Sequence, residues 1–118
     1  MAESVLVIKS KAFALRIVRL YQHLRDKKES VMSKQVLRSG TSIGANVAEG
    51  KFAQSKDDFV SKYGIALKEA SETLYWLELL HDAGYLPDEE AALSLRADCE
   101  ELIRILVASI KTAKPRTK

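Results

Sequence analysis

Apolar residues recur along the chain with the spacing of a helix surface. The first series consists of Leu6, Phe13, Ile17, Leu20, Tyr21 and Leu24. Its steps of seven, four, three, one and three residues are typical of a helix and not of a strand, and we place this helix at about residues 4–27. Ile8, Leu15 and Val18 lie on a second side of it. Because a helix of a monomeric bundle needs only one apolar face, these three residues predict a contact with another subunit.

Small residues dominate the second predicted helix, at about residues 33–50. Gly40, Gly44 and Ala48 are spaced four residues apart and therefore form one ridge with almost no side chain. Each glycine inside a helix costs roughly 1 kcal/mol relative to alanine. Two glycines in one ridge therefore predict that another group approaches the backbone closely. That group is either a neighbouring helix, of the same or another subunit, or a ligand or RNA backbone.

Two further helices are predicted at about residues 55–83 and 88–112. Ser55 is placed to cap the third helix, and Ser33 or Ser30 to cap the second. The connections between consecutive helices are short, which favours antiparallel neighbours. The predicted fold class is therefore all-α, an antiparallel up-down-up-down four-helix bundle.

Three residues of the last two helices bear on packing. Trp76 and Leu79 lie off the core stripe of the third helix, which again predicts a second buried side. Cys99 falls within the apolar stripe of the fourth helix, so we expect a buried, unreactive thiol.

The composition fits a single folded domain. The chain has 118 residues, of which 47% are hydrophobic and 30% charged, and this length can bury a core without disulfides or metals. We assign residues 1–113 to the bundle and predict that the basic tail at residues 114–118 is disordered. The single cysteine excludes an intrachain disulfide. Since no apolar run approaches the roughly 20 residues that span a bilayer, we predict a cytoplasmic protein with no membrane partner.

The net charge of +3 is unevenly distributed. Residues 1–54 contain ten lysines and arginines against four acidic residues, whereas residues 55–118 contain nine against twelve. A basic half favours an anionic partner such as nucleic acid. The alternative is that the basic half faces the acidic half, within one subunit or between subunits.

Basic side chains also form a stripe along the first helix. Lys9, Arg16 and His23 recur every seven residues, with Arg19 and Lys27 close by. Such a stripe can lie along phosphates, where each neutralised phosphate adds salt-dependent affinity. These five residues are the candidate nucleic-acid-binding site, and a solvated helix face is the alternative.

The sequence contains no complete enzyme signature. Glu78 and His81 match the Glu-x-x-His spacing of a di-iron bundle, but the only other histidine, His23, has a leucine three residues before it. The ligand set is therefore incomplete. The segment from Gly40 to Gly44 is not followed by the Gly-Lys-Ser/Thr of a phosphate-binding loop. We predict no catalytic residues, no metal and no cofactor.

Polar and aromatic residues cluster on the second and third helices, where tight packing is also expected. Buried charges need partners, so these residues predict a polar network within or between subunits. Its candidate members are Arg38, Asn46, Glu49, Lys68, Glu69, Glu72 and Tyr75.

Two segments carry a family resemblance, VLRSGTSIGANVAEG at residues 36–50 and IALKEASETLYWLELL at residues 65–80. Together they resemble the four-helix-bundle protein family encoded in intervening sequences of 23S ribosomal RNA genes. This family includes the accessory variability protein of diversity-generating retroelements. The resemblance extends over nearly the whole chain. The matched positions most worth testing are Arg38, Gly40, Gly44, Asn46, Glu49, Lys68, Glu69, Glu72, Tyr75 and Trp76.

The resemblance implies an antiparallel four-helix bundle that assembles into a ring-like homopentamer. In the retroelement branch it implies a basic accessory protein that binds nucleic acid and a reverse transcriptase. It supplies no catalytic residues. The leading hypothesis is thus a homo-oligomeric accessory that binds RNA or DNA, with a reverse transcriptase or another protein as a further candidate partner. The alternatives are a scaffold that binds only protein and, third, an iron carboxylate enzyme.

Overall fold

A computed structural model describes residues 2–113, with side chains described over residues 5–113. The tail predicted at residues 114–118 lies outside this range. The elements are α1 (Ala2–Asp26), α2 (Met32–Gly50), α3 (Lys56–Asp82) and α4 (Glu89–Ala113). No strand occurs within residues 2–113, so the prediction of an all-α, four-helix fold is confirmed. None of these four helices combines the length and apolarity that crossing a membrane requires.

The core is built from the apolar stripes of all four helices. On α1 the stripe is buried at Leu6, Phe13, Ile17, Leu20 and Leu24. Full burial of a side chain of this size contributes about 1.5–3 kcal/mol. Packing with the apolar face of each helix toward the core is therefore strongly favoured. Helix α1 packs against α2 and α4, and α3 packs against the same two helices. Over the described range α1 and α3 do not contact each other, so they occupy diagonal corners of the bundle.

The glycine ridge of α2 packs against α1 of the same chain. A Cβ atom added to Gly40 would lie 2.8 Å from Cγ1 of Ile17, and one added to Gly44 would lie 3.3 Å from the backbone oxygen of Ser10. Ala48 remains exposed. The predicted close approach is therefore made by a neighbouring helix at both glycines. Gly40 lies against Ile17 and Gly44 lies against Ser10, so the paired positions run in opposite directions along α1 and α2.

Ser55 caps α3, as predicted: its side chain accepts a hydrogen bond from the backbone N–H of Asp58 at 3.0 Å. The predicted cap of α2, Ser33 or Ser30, is wrong. Val31 occupies the N-cap position and makes no side-chain cap hydrogen bond, and the Ser33 hydroxyl is buried without a hydrogen-bond partner in the described part of the chain.

The cap of α2 is instead supplied by Glu29. Its carboxylate accepts hydrogen bonds from the backbone N–H groups of Val31 and Met32 at 3.1 Å each and of Ser33 at 2.6 Å. Lys28 adopts a left-handed conformation (φ 64°), and this turn carries Glu29 beneath the start of α2. Burial raises the pKa of Glu29, but the three backbone hydrogen bonds outweigh it and lower the pKa below its ordinary value.

Candidate functional site

Helix α1 carries an exposed apolar row on the side away from the core. The row, which we call the α1 apolar face, consists of Val5, Ile8, Leu15 and Val18. Ile8 is 69% exposed and Leu15 is 52% exposed. The sequence-based prediction placed three of these residues on a second side of the helix, and the structure leaves that side uncovered within one chain.

Helix α3 also presents apolar and aromatic side chains to the outside. Ile65 and Tyr75 are exposed, at 41% and 57%, and Leu79 is partly exposed. We call these three residues the α3 outer face. Because α1 and α3 lie at diagonal corners, the α1 apolar face and the α3 outer face point away from each other.

A polar cluster joins α2 to α3 beside the α3 outer face. The Arg38 guanidinium donates to both oxygens of Glu69 at 3.2–3.3 Å and to Oε2 of Glu72 at 2.6 Å. The same Glu72 oxygen accepts a hydrogen bond from the indole N–H of Trp76 at 3.0 Å. Glu69 also accepts a hydrogen bond from the Ser42 hydroxyl at 3.4 Å. We call these residues the α2–α3 network.

The charges of the α2–α3 network stabilise each other. The Trp76 hydrogen bond and then the Arg38 hydrogen bond lower the pKa of Glu72. The hydrogen bond to Glu72 is in turn the main cause that raises the pKa of Arg38. Asn46 extends the cluster along α2 by donating to the backbone and side-chain oxygens of Ser42 at 2.9 and 3.2 Å.

Three predicted members lie outside this cluster. Glu49 forms an ion pair with Lys62 at 3.0 Å near the other end of α2. Lys68 is exposed and contributes only its charge, which helps to lower the pKa of Glu72. Tyr75 packs edge-on against the Trp76 ring, with 5.3 Å between centroids.

Sequence reasoning missed two donors of the α2–α3 network. The sequence pattern assigns Trp76 to packing and does not single out Ser42. Trp76 lies four residues after Glu72 on the same helix face, a spacing that lets side chains bond. That spacing was the signal available for Trp76. The Ser42 hydrogen bond could be predicted only with the knowledge that α3 lies next to α2.

The basic stripe of α1 divides into paired and unpaired residues. Lys9 pairs with Glu101 at 3.2 Å, and Arg16 pairs with Asp98 at 2.6 Å, both on α4. Part of the basic half thus faces the acidic half within one chain. Arg19 and Lys27 are exposed and make no ion pair with any residue in the described range.

Arg19 and His23 border a pocket of about 360 Å³ between the last turns of α1 and the start of α4. Leu20, Leu86 and Leu95 line it from the core side. The pocket thus combines an apolar interior with basic side chains of the stripe, a pairing that the sequence pattern did not reveal.

Glu78 and His81 are held by α4. Arg96 lies 3.3 Å from both Glu78 Oε2 and His81 Nδ1, and His81 Nε2 lies 2.6 Å from Glu89. Among the residues with described side chains, no group of three or more acidic, histidine or cysteine residues is arranged to hold a metal ion. Cys99 is buried, and burial, with lesser contributions from nearby carboxylates, raises its pKa to about 12, so its thiol is poorly suited to act as a nucleophile.

Comparison with known proteins places these features in a family. A crystal structure of a protein with unknown function from the S23 ribosomal protein family of Bacteroides thetaiotaomicron superposes with a TM-score of 0.90. It is 52% identical in sequence, over 94% of this chain and 99% of that one. No curated protein matches the chain. A family model described as 23S rRNA-intervening sequence protein matches residues 3–108, and the chain therefore belongs to the family of 23S rRNA-intervening sequence proteins.

Proposed function

We propose that the protein is a non-enzymatic, homo-oligomeric accessory that binds nucleic acid, in the form of an antiparallel up-down-up-down bundle assembled into a ring of five. The observation that carries the proposal is the uncovered α1 apolar face, with Ile8 at 69% exposure, on the helix that also carries the unpaired Arg19. A helix that already fills the core needs no second apolar row unless a partner covers it.

The two outer apolar surfaces favour a ring. The α1 apolar face and the α3 outer face differ in composition and lie on diagonal helices. An interface between two different surfaces is heterologous, and copies related in this way form a ring when the rotation closes. The number five rests on the family resemblance.

The α2–α3 network suits the edge of such an interface. Protein interfaces have an apolar centre and a polar rim, and they are rich in Arg, Tyr and Trp. Arg38, Tyr75 and Trp76 supply these residue types beside the α3 outer face. Arg38 is half-exposed in the single chain, so a neighbouring subunit would have direct access to it.

The nucleic-acid part of the proposal rests on the cations that the bundle leaves unpaired. Arg19 lies in the second half of α1 and Lys27 directly follows its last residue, so both are beyond most of the α1 apolar face. A ring would repeat this basic patch in every subunit, and repeated weak phosphate contacts raise overall affinity. The matching family is described by reference to 23S rRNA and the similar structure by reference to a ribosomal protein, so a structured RNA is the first probe.

A protein-binding scaffold is the second candidate, and one observation favours it. Lys9 and Arg16, two of the five stripe residues, are engaged by carboxylates of α4. If subunit contacts engage the remaining cations in the same way, no basic surface is left for phosphates. The assembly would then recruit a protein through its apolar or acidic surfaces.

Light scattering on the size-exclusion peak, at low and high salt and with and without a structured RNA, distinguishes the two candidate functions. The nucleic-acid accessory predicts an oligomer that persists in high salt and co-elutes with RNA only at low salt. Arg19→Glu should abolish co-elution, whereas Lys56→Glu, at an exposed cation where α3 begins, should not. An oligomer that does not bind RNA at any salt concentration would favour the protein-binding scaffold.

A further inference from the structure

The pocket beside Arg19 is a place where the core is incompletely covered. Its floor consists of Leu20, Leu86 and Leu95, which are 6%, 8% and 7% exposed. The other core side chains that the structure describes are no more than 2% exposed. The volume of about 360 Å³ lies in the range of ligand pockets, and an apolar floor gains free energy only from an apolar occupant.

The rim of this pocket carries three kinds of polar group. Arg19 offers a guanidinium that no described carboxylate pairs with. His23 offers a flat ring, and Arg16, held by Asp98, adds a second guanidinium. Asp88 uses one carboxylate oxygen to accept the backbone N–H of Ala91 at 3.1 Å, and its second oxygen has no hydrogen-bond partner in the described range.

These groups match the parts of one nucleotide. The leucine floor and the His23 ring suit the flat apolar faces of a base, since bases bind by stacking on aromatic and guanidinium planes. The unpaired oxygen of Asp88 suits a base N–H donor, and Arg19 suits the phosphate. We infer that this pocket binds one unpaired base of a single-stranded nucleic acid.

Other occupants fit less well. A small anion on the floor would lie close to the Asp88 carboxylate, and it has no apolar surface for the leucines. The basic residues 114–118 follow Ala113 at the far end of α4, and their positive charge is repelled by Arg19. A nucleic-acid duplex can contact Arg19, but its paired bases cannot enter the pocket. The inference rests on the proposed function and narrows it to single strands.

The test uses a variant that fills the pocket without changing charge. Ala91 lines the pocket and is exposed, so Ala91→Trp places an indole where the base would lie. Ala97 is an exposed residue of the same helix that does not line the pocket, and Ala97→Trp is the matched control. Fluorescence anisotropy of the assembled full chain at low salt measures binding of a labelled single-stranded RNA of about 12 nucleotides, a size typical of single-strand sites, and of the corresponding duplex.

We expect Ala91→Trp to weaken single-strand binding about tenfold, the order of magnitude of one lost base stack. Duplex binding, and single-strand binding by Ala97→Trp, should stay at the level of the unmodified protein. A second measurement does not depend on how the variant folds: the unmodified protein should bind a strand with abasic sites about tenfold more weakly than the intact strand.

The outcomes separate the inference from the proposed function. Equal affinity for the intact and abasic strands, or an Ala91→Trp variant that is folded by circular dichroism and binds the single strand normally, overturns the base pocket while RNA binding stands. Failure of the unmodified protein to bind either RNA overturns both.

Discussion

Arg38 and Glu72 join α2 to α3 through a single short contact, with 2.6 Å between Nη2 and Oε2. The same Glu72 oxygen accepts the Trp76 indole N–H, so one carboxylate oxygen holds two donors. The ion pair is half-exposed at Arg38, and solvent screens pairs of this kind. The ion pair therefore contributes little to the fold, and Arg38 is accessible to the neighbouring subunit that we propose.

Arg38→Ala should accordingly affect assembly more than folding. We expect the free energy of unfolding to fall by less than about 1 kcal/mol, as for other exposed ion pairs, while the oligomer weakens because an interface arginine is lost. Urea unfolding and light scattering across a dilution series measure the two effects. Lys34→Ala, at an exposed cation of the same helix, is the control. If Arg38→Ala destabilises the fold severely and leaves the oligomer intact, the α2–α3 network stabilises the fold of the single chain and not the interface between subunits.

The cap of α2 makes a second prediction, which concerns stability. Glu29→Ala leaves three backbone N–H groups without their acceptor, and loss of a helix cap costs about 0.5–2 kcal/mol. Ser30→Ala, at the neighbouring exposed position, should change stability by less than about 0.5 kcal/mol. Thermal or urea unfolding of the two variants measures the difference, and equal effects would show that Glu29 is not the cap.

The Glu29 contribution should also depend on pH. The pKa of Glu29 is lowered from 4.5 in the folded state, so the unfolded chain takes up the proton first as the pH falls. Its stabilisation is therefore complete well above pH 4.5 and is lost as the pH drops from there through the lower folded-state pKa. The stability gap between the unmodified protein and Glu29→Ala should shrink across that window. A gap that widened on acidification would contradict the sign of the pKa shift.

The sequence was sufficient to predict the helices but not the contacts between them. The apolar stripe from Leu6 to Leu24 predicts α1 because burial is periodic along one helix and needs no knowledge of its neighbours. The cap of α2 escaped prediction because it depends on the left-handed turn at Lys28, not on a preferred capping residue. The engagement of Lys9 and Arg16 depends on which helix lies alongside α1.

The two glycines Gly40 and Gly64 provide a matched pair for the close approach of α1 and α2. A Cβ atom at Gly40 would lie 2.8 Å from Ile17 Cγ1 and Cγ2, whereas one at Gly64 would meet no atom within 4 Å. Ile17 is buried and branched at Cβ, so it cannot easily move aside. Gly40→Ala should destabilise the fold by about 1–3 kcal/mol through overpacking. Gly64→Ala should stabilise it by roughly 0.5–1 kcal/mol through helix propensity. Urea unfolding of both variants measures these changes in stability. Stabilisation by Gly40→Ala would show that α1 and α2 are further apart than the contact between Gly40 and Ile17 indicates.

The last prediction concerns the α1 apolar face. Ile8 is 69% exposed in the single chain, so Ile8→Glu removes little burial from the folded monomer, and surface changes of this kind alter stability by about 0.5 kcal/mol or less. In an assembled ring the same carboxylate would be taken out of water without a partner, which costs several kcal/mol per interface. We therefore expect Ile8→Glu to elute as a folded monomer, with its helical circular dichroism unchanged. Ala97→Glu, at an exposed residue of α4, adds the same charge outside the α1 apolar face and should remain oligomeric. An Ile8→Glu variant that keeps the oligomer mass of the unmodified protein would remove the α1 apolar face from the interface, and the ring would then have to close through other surfaces.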